Sequence, residues 1–334
     1  MTSNDIFFSI IIPTYNPRKF LPRLLKSITH NECLKNIEVI ISDDCSTESF
    51  DDILAKFTQL NIVKIENDKH YGFPRNGRQN GVDKARGKWF VFSDQDDYFV
   101  DRAFDKVYKF IMETNVKNVI ITDFIEEIVA TGKQILRKRK SGWTHGKVFE
   151  KSFWQSNDIR YDDMQYCEDI NLTNIISCIM LAKHLQAYEF NEPLYVWCRR
   201  KDSLSDMEYF RKSMPDYINA TLGVIIRYVE KYLRDSELIP IFNARFIVTV
   251  LHVYFYYQSK QLNDSRAGLL QAIATLQPIY TKFKELTGFT NEGIVDLINN
   301  DLMMLYNQTR DEDFHQIPFV EQITFKDWLN LYLD

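Results

Sequence analysis

The alternation of apolar, strand-like segments with amphipathic, helix-like segments is the strongest constraint on the fold of this chain. Residues 7–13 form a continuous apolar run, as expected for a strand that is covered on both faces of a sheet. Residues 18–30 follow with apolar side chains at helical spacing. The pattern then repeats, with strands predicted at 37–42, 61–66, 88–93 and 119–123 and helices at 50–60 and 77–86. It predicts an α/β fold with a Rossmann-like, mostly parallel mixed sheet flanked by helices.

A polar cluster follows each of the first four predicted strands. The clusters are Pro13-Thr14-Tyr15-Asn16, Asp43-Asp44-Cys45-Ser46, Gly72-Phe73-Pro74-Arg75-Asn76 and Asp94-Gln95-Asp96-Asp97. Any one of them could simply form a turn or cap a helix. Ligands of parallel sheets bind beyond the carboxyl ends of the strands, so four such clusters at one edge predict a binding site.

Asp94 and Asp96 form a D-x-D motif directly after an apolar strand. Residues two apart in an extended segment share a face, so both carboxylates can point at one ion or its ligands. Mn²⁺ or Mg²⁺ held by few carboxylates keeps coordination positions for phosphate oxygens. The motif therefore indicates chemistry on a diphosphate, and the alternative is an acidic turn before the next helix.

Composition excludes several classes of protein. With 45% hydrophobic and 26% charged residues among 334, the chain has the balance of an ordinary globular protein. Its net charge of -5 argues against a nucleic-acid partner. The five cysteines include no C-x-x-C pair, and no signal-peptide pattern is present, so we expect a cytoplasmic protein.

Two common nucleotide-binding motifs are absent from the sequence. No G-x-G-x-x-G follows the first strand and no P-loop motif occurs, which argues against nicotinamide dehydrogenases and P-loop NTPases.

The second half of the chain has helical periodicity instead. Helices are predicted at about 214–234, 238–260, 264–286 and 291–308. We therefore predict an all-helical domain at 206–334, serving oligomerisation or acceptor binding, after a catalytic domain at 1–205. Residues 254–257 are four consecutive aromatics that surround a helix, which predicts a homo-oligomer. A helical cap on the first domain is the alternative.

A set of short motifs gives the chain a family resemblance over about residues 8–206. The motifs are S-I-I-I-P-T-Y-N at 9–16, D-D-C-S at 43–46, P-R-N at 74–76, F-S-D-Q-D-D at 92–97, H-G-K-V-F at 145–149, C-E-D at 167–169, N-E-P-L-Y at 191–195 and R-R-K-D-S-L-S at 199–205. In order and spacing they resemble the family-2 glycosyltransferases, inverting enzymes with the GT-A fold.

The resemblance implies roles for individual residues. Those implied to bind the nucleotide are Pro13, Thr14, Tyr15, Asp44, Arg75, Asn76 and Asp94. Among them, Asp44 would accept a hydrogen bond from uracil and Asp94 would contact the ribose or the sugar. Asp96 would ligate the metal, Mn²⁺ or Mg²⁺.

The same resemblance implies that Asp169 is the catalytic base. It also implies that residues 200–205 close on the pyrophosphate, which Ser203 and either Arg200 or Lys201 would contact. Glu168 and Asp169 precede an apolar-periodic helix, so they also could merely complement its dipole. His145 would either approach the acceptor or hold a loop, and we favour the structural role. Trp143 and Trp154 could stack on sugar rings or belong to the core.

The implied function is inverting transfer of a hexose or N-acetylhexosamine from a UDP-sugar to a hydroxyl acceptor. A polysaccharide glycan, a lipid-linked oligosaccharide, a glycoprotein and a teichoic-acid-like polymer are all open as acceptors, as is peripheral membrane association through the acceptor. One alternative is a catalytically silent nucleotide-sugar-binding scaffold subunit, and a weaker one is a sugar nucleotidylyltransferase. The intact set of Asp44, Asp94, Asp96 and Asp169 argues against the silent subunit.

Overall fold

The computed structural model divides the chain into two compact units. The first contains Met1–Asp163 and Leu185–Ser203, and the second contains Met164–His184 and Leu204–Asp334. The structure describes residues 5–138, 143–161, 168–200, 218, 222–232, 250, 266–288, 290–293 and 325–333. The second unit thus takes residues 164–184 from within the predicted first domain, and the domain division at 205/206 stays a prediction.

The first unit alternates strands and helices in the predicted order. Its strands are β1 Phe8–Thr14, β2 Ile37–Asp43, β3 Asn61–Glu66, β4 Trp89–Phe92, β5 Tyr98–Phe99, β6 Val119–Ile128, β7 Lys133–Arg137, β8 Lys147–Glu150 and β9 Tyr188–Arg199. Its helices are α1 Leu21–Ile28, α2 Asp51–Leu54, α3 Pro74–Lys84, α4 Ala103–Thr114 and α5 Lys151–Ser156, with 3-10 turns at Pro17–Lys19 and Leu34–Asn36.

Three helices differ from their predicted bounds. The helix predicted at 18–30 is α1 at Leu21–Ile28, preceded by the 3-10 turn at Pro17–Lys19. The helix predicted at 50–60 is only the single turn of α2. The helix predicted at 77–86 begins three residues earlier, at Pro74. Proline fits the first position of a helix because its missing N–H would have no intrahelical partner there.

One nine-stranded mixed sheet forms the centre of the first unit. The strand order is β3-β2-β1-β4-β8-β6-β9-β5, with β7 paired to β6. The pairs β1–β2, β2–β3, β1–β4 and β6–β9 are parallel. The pairs β4–β8, β6–β8, β5–β9 and β6–β7 are antiparallel. The predicted parallel order therefore holds for β1 to β4, and beyond β4 the sheet continues through antiparallel β8.

The core lies on both faces of β1. Phe8, Ile10, Ile11 and Ile12 are all fully buried, as the continuous apolar run predicts. On one face, α1 packs through buried leucine and isoleucine side chains spaced three and four residues apart, the predicted face of that helix.

On the other face, α3 lies very close to β1. A Cβ atom on Gly81 would fall 2.3 Å from Cγ2 of Ile11, and one on Gly77 would fall 3.0 Å from Cβ of Pro13. The two glycines are one helical turn apart, so a strip without side chains faces the strand. This close approach brings the start of α3 to the carboxyl edge of the sheet.

The described part of the second unit is helical. It contains α6 at Glu168–Ala182 and further helices at Val224–Tyr232, Arg266–Thr287 and Phe325–Tyr332. The predicted helices at 214–234 and 264–286 thus have described helical cores, whereas most of those at 238–260 and 291–308 lies outside the described residues. Within the residues that the structure describes, no helix is long and apolar enough to cross a membrane.

Candidate functional site

The carboxyl ends of β1, β2, β3 and β4 lie side by side. Backbone hydrogen bonds extend the pairing just past the strand ends, from Asp44 N to Thr14 O at 2.8 Å and from Asn67 N to Asp43 O at 2.8 Å. The polar clusters predicted at 13–16, 43–46 and 94–97 therefore occupy one edge of the sheet, with the start of α3 beside them.

Asp44 organises the loop after β3. Its carboxylate accepts hydrogen bonds from the backbone N–H of Tyr71 and of Gly72, the latter at 2.8 Å. Asn67 Nδ2 donates to Oδ1 at 2.7 Å, and His70 Nδ1 lies 2.9 Å from Oδ2. Gly72 has φ +77°, a left-handed conformation that glycine adopts without strain. The visible contacts of Asp44 are thus to this loop, and its role toward uracil stays a proposal.

Tyr15 presents an aromatic surface at the same edge. Tyr15 as a residue is 39% exposed, and its ring lies against His70, with ring centroids 4.3 Å apart and planes at 31°. Gln95 fixes the main chain of Tyr15 twice: Tyr15 N donates to Oε1 at 2.8 Å, and Nε2 donates to Tyr15 O at 3.0 Å. Sequence analysis missed both His70 and Gln95, although Gln95 is the middle residue of the D-x-D motif.

The first turns of α3 supply the next group of side chains. Arg75 Nε donates to Asn76 Oδ1 at 3.2 Å, so the two predicted nucleotide residues contact each other. Arg78, one turn further, is buried and donates from Nη2 to Asp94 Oδ1 at 2.7 Å. Sequence analysis missed Arg78. Its spacing of three residues from Arg75 on a helix that starts at the site was the available signal.

Asp97 anchors the acidic loop to β9. Tyr195 Oη donates to Asp97 Oδ2 and accepts from Asp94 N at 2.9 Å, while Cys198 N donates to Asp97 Oδ1 at 2.7 Å. Burial, with the nearby charges of Asp94 and Asp96, raises the pKa of Asp97 well above its usual range. The contacts of Asp97 are therefore those of a residue that holds the loop.

Asp96 is held by two arginines. Arg200 Nε and Nη2 both lie 2.7 Å from Asp96 Oδ2. Arg23 Nη2 donates to the main-chain oxygen of Asp96 at 2.8 Å. Burial and the charge of Asp94 raise the pKa of Asp96, and Arg200 opposes that shift. The Asp96 carboxylate thus lies where added positive charge stabilises its ionised form.

The donor atoms at this loop suit a hard divalent cation with few protein ligands. In the described part of the chain no three His, Cys, Asp or Glu side chains are grouped to enclose a metal. Asp94 and Asp96 offer carboxylate oxygens, the donors that Mg²⁺ and Mn²⁺ prefer. A cation bound by one or two carboxylates completes its coordination with water and substrate phosphates, so the residues present fit such an ion.

His145 lies inside an aromatic cluster. Its ring stacks on Tyr195 with centroids 5.4 Å apart and planes at 18°, and it also contacts Trp143, Trp197 and Phe124. Burial lowers the pKa of His145 to about 3, so the ring is neutral. Among the described residues its buried Nε2 has no hydrogen-bond partner.

The other predicted aromatic and catalytic residues occupy different places. Trp154 is buried and packs on Phe90 and Phe149, as a core residue does. Trp143 is half-buried. Glu168 and Asp169 open α6 in the second unit, where both are half-buried. Lys201 and Ser203 lie outside the described residues.

Comparisons with known proteins agree with this architecture. Residues 9–201 match the family described as Glycosyl transferase family 2. Poly(ribitol-phosphate) beta-N-acetylglucosaminyltransferase TarS of Staphylococcus aureus is 33% identical over 108 residues, which are 32% of this chain and 19% of TarS. The chain thus spans about a fifth of the length of that relative. Minor teichoic acid biosynthesis protein GgaA of Bacillus subtilis is 27% identical over 343 residues, 92% of this chain and 75% of GgaA.

A solved structure extends the likeness to the fold. The crystal structure of residues 1–349 of S. aureus TarS, in complex with UDP-GlcNAc, matches with a TM-score of 0.66 and 17% identity. The match covers 92% of this chain and 88% of that one. At this identity it shows a shared GT-A-like architecture. Because the family match covers more than half of the sequence, the chain belongs to glycosyl transferase family 2.

Proposed function

We propose that this protein is an inverting glycosyltransferase that moves a hexose or N-acetylhexosamine from a UDP-sugar to a hydroxyl acceptor. One observation carries the proposal. In a chain of this family, Asp94 and Asp96 stand at the carboxyl edge of the sheet with a guanidinium beside each of them. Carboxylates and arginines together suit a diphosphate and its cation.

The donor's nucleotide is proposed to lie along the ends of β1 and β2. Pro13, Thr14 and Tyr15 would line the base and ribose, and the exposed ring of Tyr15 on His70 offers a flat surface for stacking. Asp44, in the adjacent loop, would accept from the uracil N–H. Because TarS is named as an N-acetylglucosaminyltransferase and was crystallised with UDP-GlcNAc, UDP-GlcNAc is the first donor to test.

Asp96, with Asp94 beside it, would hold the divalent cation. An Mn²⁺ or Mg²⁺ ion held there would supply positive charge against the negative charge that develops on the departing nucleoside diphosphate. Arg75, Asn76 and Arg200 would add hydrogen bonds to the diphosphate.

Asp169 is proposed as the general base. In an inverting reaction the acceptor oxygen attacks the anomeric carbon from the face opposite the leaving group, and a carboxylate removes its proton. Glu168 would orient the site. Both residues lie in the first turn of α6, where the amino end of a helix attracts negative charge.

A hydroxyl of a glycan is the proposed acceptor. TarS acts on poly(ribitol-phosphate) by name, and GgaA belongs by name to teichoic acid biosynthesis. A phosphate-linked glycan polymer is therefore the acceptor class to try first, ahead of lipid-linked and glycoprotein acceptors.

A panel of UDP-sugars tests the function. UDP release is measured for each donor with Mn²⁺, with Mg²⁺ and with a chelator, and with or without a poly(ribitol-phosphate) acceptor. We expect metal-dependent UDP release with at least one donor, and less of it from Asp96→Asn protein. Tight UDP-sugar binding without release or transfer would favour the silent scaffold subunit instead.

A further inference from the structure

The two guanidinium groups at the acidic loop differ in how firmly they are held. Arg78, the partner of Asp94, has a side chain that is only 4% exposed. The side chain of Arg200, the partner of Asp96, is 32% exposed, and its guanidinium lies 4.9 Å from the ring centroid of Phe20. Moving the side chain of a buried arginine would leave a cavity, whereas a partly exposed arginine can change rotamer and reach water at low cost. Of the two, Arg200 is thus the displaceable cation.

Arg200 and a divalent cation need the same carboxylate. Both nitrogens of the Arg200 fork contact a single oxygen, Oδ2 of Asp96. A cation on either oxygen of that carboxylate would face the guanidinium across one carboxyl group, and two positive charges at such a separation repel each other. The Asp96 carboxylate itself is only 15% exposed, so water screens this repulsion incompletely.

We propose that Arg200 is the resident counter-ion of Asp96 and competes with the divalent cation for it, an inference that rests on the metal role given to Asp96 in the proposed function. Cation binding then includes the energetic cost of breaking the Arg200–Asp96 pair. The pair lowers the affinity of the free protein for metal and leaves a guanidinium available to the phosphates of a bound donor.

Arg199 supplies a matched control. It precedes Arg200, carries the same charge, and pairs with Glu126 at 3.1 Å instead of with Asp96. Arg199→Gln therefore reports the general effect of removing one positive charge near the end of β9. Arg200→Gln reports that general effect plus the loss of the contact with Asp96.

Mn²⁺ binding by the full chain, without nucleotide, tests the competition. Free Mn²⁺ is counted by electron paramagnetic resonance during titration of the wild type, Arg200→Gln, Arg200→Lys, Arg199→Gln and Asp96→Asn, with thermal melts as the check on folding. We expect Arg200→Gln to bind Mn²⁺ about fivefold more tightly than the wild type, the equivalent of a partly exposed ion pair of about 1 kcal/mol. Arg199→Gln should stay within about twofold, and Arg200→Lys should fall between the wild type and Arg200→Gln.

Two results overturn the inference in distinguishable ways. If Asp96→Asn loses the site but Arg200→Gln gains no more affinity than Arg199→Gln, the metal assignment stands and the competition does not exist. If Asp96→Asn binds Mn²⁺ as tightly as the wild type, Asp96 is not the ligand, and the metal role in the proposed function fails together with the inference.

Discussion

At the scale of single residues, three neighbouring aspartates acquire different properties from their partners. Asp94 pairs with buried Arg78 and Asp96 with half-exposed Arg200. Asp97 has uncharged donors, and burial raises its pKa well above the usual range. Burial without a cation disfavours the charged form of a carboxylate, so the contacts of Asp97 suit a residue that holds the loop, whereas Asp94 and Asp96 each lie beside a guanidinium.

His145 gives a prediction about pH. In the folded chain burial lowers its pKa from 6.5 to about 3. Between these values the unfolded chain takes up a proton that the folded chain does not, so stability falls as the pH falls, by about 1.4 kcal/mol per pH unit. We expect His145→Phe to remove this loss, about 2 kcal/mol by about pH 5. Thermal melts from about pH 7.5 to about pH 5 measure it.

Exposed His30 provides the control for that series. His30→Phe makes the same substitution at an exposed ring and shows what the change from histidine to phenylalanine does by itself. If melting temperature falls with pH equally for the wild type, His145→Phe and His30→Phe, then burial does not lower the pKa of His145. In that case the ring does not lie in a dry aromatic cluster.

Asp169 gives a prediction about catalysis. Asp169→Asn keeps the size of the side chain but removes the proton acceptor. We expect folding and UDP-sugar binding to survive and sugar transfer to fall about 10²- to 10⁴-fold, the usual contribution of a general base. Glu168→Gln should cost less. Transfer assays on both variants, with melts as the folding control, measure the difference. Near-normal turnover by Asp169→Asn would move the base to another residue, with Glu168 the next candidate.

At the scale of elements, the contact between α3 and β1 fixes the start of α3 at the site. Gly81→Ala places a Cβ 2.3 Å from Ile11 Cγ2, so the helix or the buried Ile11 side chain must shift. We expect a loss of about 1–3 kcal/mol in the free energy of unfolding, the usual cost of overpacking, measured by chemical denaturation. Gly223→Ala is the control, since none of the described atoms lies within 4 Å of its added Cβ.

A double variant checks the cause of that loss. Ile11→Ala removes the atom that the new methyl group meets, so Gly81→Ala with Ile11→Ala should cost less than the two single changes added together. Strict additivity would mean that the helix and the strand do not clash at this point.

Some elements of the fold could be predicted from the sequence and others could not. The strands β1, β2 and β4 were predictable because each is a mostly apolar run that is buried, and the D-x-D loop followed from its place after β4. The partly exposed edge strand β3 was predictable from its place between two helical segments. Arg78, Tyr195 and Gln95 were not, because their roles depend on partners far away in the chain, such as Tyr195 bonded to Asp97 across 98 positions. Nor was the antiparallel β8, since a four-residue strand carries too short a pattern to give its direction.

At the scale of the whole molecule, self-association stays a prediction from sequence. Residues 254–257, Tyr-Phe-Tyr-Tyr, place aromatics around a predicted helix and lie outside the described residues. Such a helix has more apolar surface than one contact buries, so we expect an oligomer at micromolar concentration. Light scattering measures the mass, and a monomer at that concentration would contradict the prediction.

The central claim for the molecule is that the edge built by β1, β2 and β4 binds a uridine diphosphate together with a divalent cation. Calorimetric titration with UDP tests it most directly, in Mn²⁺ and in chelator, for the wild type, Asp96→Asn and Asp101→Asn. Asp101→Asn is the control, because Asp101 is exposed and lies 3.4 Å from His30.

We expect the wild type and Asp101→Asn to bind UDP more tightly in Mn²⁺ than in chelator. For Asp96→Asn most of this difference should disappear, with little change in chelator. Equal UDP affinity of the wild type in Mn²⁺ and in chelator, or no measurable UDP binding in either, would contradict the central claim.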